Sequence, residues 1–289
     1  MMKAVTFRGD VEIAEIPIPP IPKDHVLVKI IQATVGPLER GLSKGLIWVQ
    51  PERVLGMEGY GVLYELGVDI EDLEVNEEVA INSYLNKEKI LGVHVNGTLA
   101  EFVSVPKEAV ERLPTSLPEH AKALASVGAL ALSLSEMISD KKTLLVGAGI
   151  TNVVTSFLLS WEVPLLPWSK EPPIDVNYFP TTASACTQEW DVVVVSVPEA
   201  SAVDTATMCV KEGGTIILHP LVNYSKHVFT GKRINIVVPE PKSLTEGANV
   251  INKVPWRIMN ELIEEQTNLE KALSSSVSRT LVRPEALEG

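Results

Sequence analysis

At 289 residues the chain is long enough for two domains of ordinary size, and a 45% apolar content is that of a globular protein. Its 25 basic and 37 acidic side chains leave a formal charge of -12, which argues against a nucleic-acid partner, since a phosphate backbone calls for a basic surface. Two cysteines, Cys186 and Cys209, are too few for a disulfide framework or a cysteine-held structural zinc and read as a reducing, cytoplasmic setting.

The N-terminus "MMKAVTFRGDVEIAEI" has no long apolar core of a signal peptide. Short runs rich in Val, Ile and Tyr follow one another through the first hundred residues: "AVTF", "VEIAEI", "HVLVKIIQATV", "GYGVLYELG", "EEVAINSY" and "GTLAEFVSVP". Pro, Gly, Asp and Asn separate them, which is strand grammar, and residues 37–44 are the one candidate helix among them. A β-barrel or sandwich is expected.

The pattern changes at "TSLPEHAKALASVGALALSL", where Ser116 and Glu119 have the S-x-x-E spacing of a capping box and Pro118 suits a first helical turn. The apolar stretch at residues 123–138 is shorter than a membrane span needs and carries serines, so a buried helix is expected. Next comes "TLLVGAGITNVVTSFLL", a strand, a turn and a helix with Gly147, Gly149 and then Asn152 at the spacing of a dinucleotide-binding fingerprint. The third glycine is replaced by Asn152, a small polar residue that can cap amides. Beyond it "VPLLPW", "EWDVVVVSV", "TIILHP" and "INIVVP" read as strands, with a helix around "EASAVDTATMCVKEGG". Continuous apolar runs such as "DVVVVSV" suit strands covered on both faces, hence a parallel, doubly wound α/β domain. Pro172, Pro173 and Pro180 forbid a long helix before the fourth strand, which leaves "DVNYFP" as a remnant of the third and a shortened wall. In the tail, Ile258, Leu262, Leu269 and Leu273 recur near helical spacing and predict one amphipathic helix.

A β domain, a linking helix and a dinucleotide-binding domain in that order resemble the medium-chain dehydrogenase/reductase superfamily. The likeness is carried by "MKAVTF", "VLVKIIQATVGPLERGLSKG", "LGMEGYGVLYELG", "GTLAEFVSVPKEAVERLP", "LLVGAGITN", "DVVVVSV" and "CVKEGGTIIL". It implies an α/β chain with a GroES-like β-barrel domain over 1–115, a shortened Rossmann-type domain with a doubly wound parallel sheet over 116–243, and a helical tail over 244–289 that lacks the family's closing strands.

In the metal-dependent branch the zinc ligands would fall at about Gly36, Met57 and Val127, none of which binds zinc. The resemblance is therefore to the zinc-independent, quinone-oxidoreductase-like branch. It implies a nicotinamide cofactor, NADP(H) rather than NAD(H) on the strand-two residues given next, held by Gly147, Gly149, Ile150 and Asn152, with the nicotinamide near Ser196, Val197 and His219. No acid stands at the end of the second strand; Ser169 and Lys170 there suit a 2′-phosphate, or form an ordinary exposed turn. Residues 35–39 and 57–60 would line the substrate side. Catalytic candidates are Glu39, Glu58 and Tyr60, each with a structural alternative: a carboxylate paired with an Arg or an amide, a phenol packed in a wall. Hydride transfer to a small quinone, enone or aldehyde is one reading, with no nucleic-acid or membrane partner and with a homodimer permitted. A catalytically inactive scaffold that binds a ligand or protein is the other.

Overall fold

A computed structural model describes residues 1–86, 89–168, 171–173, 175–222 and 231–289. They form two compact units, one of Met1–Ala129, Lys242–Lys253 and Ile263–Gly289, the other of Leu130–Pro241 and Val254–Leu262. The compact units thus divide inside the linking helix and interleave at the C-terminal end, where the sequence placed limits at 115/116 and 243/244.

In the first unit the chain runs β1 (Met2–Phe7), β2 (Val11–Ile16), β3 (His25–Val35), α1 (Pro37–Ser43), β4 (Arg53–Val54), β5 (Gly59–Leu66), β6 (Glu78–Ile81), β7 (Tyr84–Asn86), β8 (Lys89–Ile90), β9 (Phe102–Pro106) and β10 (Val110–Arg112). Helices α2 (Glu119–Ala123) and α3 (Ala125–Ile138) then lead out of it. β3 is the spine: it pairs antiparallel with both β5 and β9, and Val26, Val28, Ile30, Ala33 and Val35 are buried along it. Its β-branched residues suit a pleated, mostly covered surface.

The predicted capping box does not form. The N-cap of α2 is Pro118, whose ring has no polar atom to cap with; Ser116 lies in the preceding turn, where Leu117 N–H donates to Pro114 O. Glu119 pairs instead with Arg283.

The second unit contains β11 (Thr143–Val146), α4 (Ile150–Leu158), β12 (Leu165–Leu166), α5 (Thr182–Ala185), β13 (Trp190–Val195), α6 (Ala200–Cys209), β14 (Val210–Leu218) and β15 (Asn235–Val237). Its sheet is parallel, in the order β12-β11-β13-β14-β15. Leu144, Val146, Val193, Val195, Ile216 and Leu218 are buried in its core, as continuous apolar strands require. The shortened wall is visible: β12 has two residues between Pro164 and Pro167, Tyr178 makes a single parallel bridge to Leu165, and α5 has four residues. Cys186 and Cys209 are joined in a disulfide, where the sequence reading took the pair as a sign of a reducing setting. Their spacing carries no signal; the crossover brings the ends of α5 and α6 together.

The tail is not one helix. α7 (Leu244–Lys253), α8 (Trp256–Leu262), β16 (Ile263–Glu265), α9 (Leu269–Ser274) and β17 (Arg279–Val282) follow one another. β17 pairs antiparallel with β3 and parallel with β16, so closing strands are present after all. Partners distant in sequence set this structure, and the spacing of Ile258 and Leu269 alone does not show them. Among the described residues, no helix is long and apolar enough to cross a membrane.

Candidate functional site

In the first unit, the loop after β3 and the turn before β5 bring two buried carboxylates together. Glu39, in the first turn of α1 and 2% exposed, accepts from Gly36 N (2.8 Å) and Gly56 N (3.0 Å), and so ties the helix N-terminus to the turn that precedes Met57 and Glu58. Burial pushes its carboxyl above the ordinary range, the backbone amides of Gly36 and Glu39 oppose this, and the charge of Glu58 adds to it.

Glu58 is clamped by Arg279 of β17. Arg279 Nη2 donates to Oε1 at 2.8 Å, Nε reaches Oε2 at 3.0 Å, and Thr34 Oγ1 donates to Oε2 as well. This is the bidentate geometry of a strong pair. Burial works against the Arg279 charge, but Glu58 outweighs it and holds the guanidinium above its usual value. Arg40 donates to Thr280 Oγ1 (2.8 Å) and to the carbonyl of Val277, and burial lowers its guanidinium to about 10. Tyr84 faces the same cluster; burial and the Glu58 charge raise its phenol.

Tyr60 has other partners. It is 1% exposed, its phenol is hydrogen-bonded to Glu119, and the Lys122 ammonium sits 5.7 Å from its ring centroid. Burial, followed by the charge of Glu119, pushes the phenol away from ionisation.

In the second unit the cofactor candidates gather at the C-terminal ends of β11, β13 and β14. Gly147 has φ +106°, a conformation that suits glycine, and a Cβ there would lie 2.7 Å from Val197 Cγ1 and 3.0 Å from Ser196 Oγ. Gly149 is the N-cap of α4, and Ile150 opens the helix. Ser196 N donates to Val146 O at 3.1 Å. His219, 7% exposed at the end of β14, accepts from Leu221 N at 3.2 Å. Asn152 is fully buried and faces inward rather than toward a ligand. Ser169 and Lys170 lie outside the described residues.

Residues 22–115 match the alcohol dehydrogenase GroES-like domain family. The chain superposes over 98% of its length on a zinc-binding dehydrogenase from Sinorhizobium meliloti bound to NADP (TM-score 0.75, 19% identity, 99% of that chain). It does so equally on a thermostable alcohol dehydrogenase from Pyrobaculum aerophilum (TM-score 0.74, 19% identity, 98% of this chain and 99% of that one). Residues 22–115 therefore belong to the alcohol dehydrogenase GroES-like domain family, and the chain as a whole has the fold of these dehydrogenases. By sequence it is 28% identical to the L-threonine 3-dehydrogenase of Pyrococcus abyssi over 160 residues, 48% of this chain and 46% of that enzyme. The chain spans about half the length of the curated relatives it matches.

Measured against zinc-type alcohol dehydrogenases, the donor set departs. Gly36 offers no ligand atom, Met57 a buried thioether and Val127 a hydrocarbon. A Cβ at Gly36 would sit 3.0 Å from Arg279 Cδ and Nε, so the guanidinium stem occupies the room a ligand side chain would use. The nearby carboxylates are already bound by Arg279, Thr34 and two amides. These residues do not fit a tetrahedral zinc held by thiolate and imidazole. Among the described residues, no group of three His, Cys, Asp or Glu is arranged to hold a metal.

Proposed function

We propose that the protein is a zinc-independent, NADP(H)-dependent oxidoreductase that passes hydride to a small carbonyl or conjugated acceptor of the quinone, enone or aldehyde class. One observation carries this reading. The sheet order reverses between β11 and β13, and at that switch point stands an intact strand, glycine turn and helix at residues 143–158. Open α/β sheets bind their ligands in that crevice, and the N-terminus of α4 suits a pyrophosphate. The NADP-bound structural relative supports the cofactor class. The preference for NADP(H) rests on Ser169 and Lys170 in the sequence.

The bound nicotinamide supplies the hydride, and solvent supplies the proton that completes reduction. Glu39 and Glu58 brace the loop after β3, and Tyr60 braces the wall. A homodimer through β15 accords with its place at the sheet edge and with exposed Ile236, Val237 and Val238; Ile236→Lys should halve the mass seen by light scattering.

The two-residue β12 and four-residue α5 favour a second reading, a scaffold that no longer binds dinucleotide. Calorimetric titration with NADPH and, separately, NADH decides. Micromolar NADPH binding, weaker with NADH, supports the oxidoreductase; no binding of either at millimolar concentration leaves the scaffold.

A further inference from the structure

Asn152 stands where the glycine spacing calls for a third glycine, and its side chain is not idle. Nδ2 donates to Val146 O and to Gly147 O, each at 3.0 Å, which uses both amide hydrogens. Val146 O is independently bound by Ser196 N (3.1 Å) and Ser196 Oγ (3.3 Å). For Gly147 O, Asn152 is the one donor among the described residues.

From these contacts we infer that Asn152 is a positioning residue that sets the anion-facing side of the dinucleotide turn through the Gly147 carbonyl. A trans peptide points its C=O and the following N–H in opposite directions. With Gly147 C=O held inward by Asn152, the Ala148 N–H is turned outward. Gly147 N is meanwhile fixed to Leu166 O at 2.8 Å, so the peptide units on both sides of Gly147 are held. Neither Ala148 N–H nor Gly149 N–H meets an acceptor among the described residues. The outward Ala148 N–H, just before α4, is therefore left for a phosphate, with the uncommitted Gly149 N–H next to it in sequence. The clamp carries a cost, because Asn152 Oδ1 is buried without a partner. A glycine at 152 would remove that cost and release the Gly147 carbonyl.

The inference rests on the oxidoreductase reading for its ligand. The test is NADP⁺ binding by calorimetry from pH 5 to pH 8, on the wild type, Asn152→Asp and Asn152→Ala, with unfolding temperatures measured in parallel. Asn152→Asp keeps the shape but turns a carboxylate toward two carbonyls, where burial favours its protonated form. It should bind NADP⁺ about tenfold more weakly than the wild type at pH 8, the affinity equivalent of about one hydrogen bond. That ratio should close toward pH 5, as the protonated acid regains a donor; a merely structural loss would not follow this profile. Asn152→Ala should be weakened at every pH, and it carries the test if the Asp variant does not fold. Wild-type affinity in both variants overturns the inference while the oxidoreductase reading stands. A wild type that binds neither NADP⁺ nor NAD⁺ overturns that reading, and the inference falls with it.

Discussion

Replacing Arg279 with Met tests whether the Glu58 clamp holds the first unit together. Both side chains are about 5% exposed, and Arg279 contributes three contacts of 2.8 to 3.1 Å to the carboxylate. At 2.8 Å and an effective dielectric constant of 20, the attraction is about 6 kcal/mol before the cost of desolvation. Removing one partner of such a pair leaves an uncompensated buried charge, with an expected loss of about 3 to 5 kcal/mol. Here the loss falls toward the upper end, because Glu39 lies in the same cluster and its charge also acts on Arg279. Urea unfolding at pH 8 and pH 5, followed by circular dichroism, measures it. In the variant the folded-state pKa of Glu58 would lie above its unfolded value. The penalty is then absent below the unfolded pKa and grows as pH rises toward the folded one, so the loss should be smaller at pH 5. The double variant Arg279→Met/Glu58→Leu should recover more than half of it, since two apolar groups replace the pair. A single-variant loss below about 1 kcal/mol, or a double variant as unstable as the single, would refute the reasoning.

Glu111 of β10 caps the N-terminus of α7, accepting from Ser243 Oγ (2.6 Å), Leu244 N (2.7 Å) and Thr245 N (3.1 Å). Burial works to raise its carboxyl, but these bonds prevail and lower it; the stability it adds is therefore present above the unfolded carboxylate pKa and lost as pH falls through the folded one. Glu111→Gln should cost about 1 to 2 kcal/mol at pH 7, with the difference vanishing in acid, as a pH series of thermal melts would show. For Cys186 and Cys209, 23 residues apart, chain entropy predicts a contribution of about 3 kcal/mol. Denatured, unreduced protein should titrate no thiols, reductant should expose both, and Cys209→Ala should melt earlier; two free thiols without reductant would contradict the bond.

Both halves of the fold are legible in the sequence because their strands follow different rules. Strands such as β3 and β9 are short β-branched runs set off by turn residues, and β13 is an unbroken apolar run, as a strand covered on both faces must be. The tail is not legible for a physical reason. β16 reads Ile-Glu-Glu and is a strand only because β17 lies beside it, while β17 is placed by β3 from more than two hundred residues away. Helical spacing of four apolar residues on either side of residues 263–268 measures a period, and a period cannot register a pairing partner. The Ser116 box fails similarly, since a turn at residues 114–117 competes for the same stretch of backbone.

The candidate site is half legible, and Gly36 explains where the reading stops. A missing ligand at position 36 is visible in the sequence, and so are Glu39 and Glu58 as carboxylates in need of partners. What replaces the ligand is not visible, because Arg279 lies 221 residues beyond Glu58, in a strand where a charge would ordinarily be taken as exposed. A signal was available: a carboxylate on the core side of a turn requires a cation, and "RTLV" is a β run that begins with one. Any side chain at 36 would press on the Arg279 stem at 3.0 Å, while the guanidinium is fixed by Glu58 at 2.8 Å. The empty position at 36 and the buried cation from β17 are therefore one structural arrangement: the space and charge that a metal ligand set would need are taken by an internal ion pair, and glycine is the residue that leaves it room.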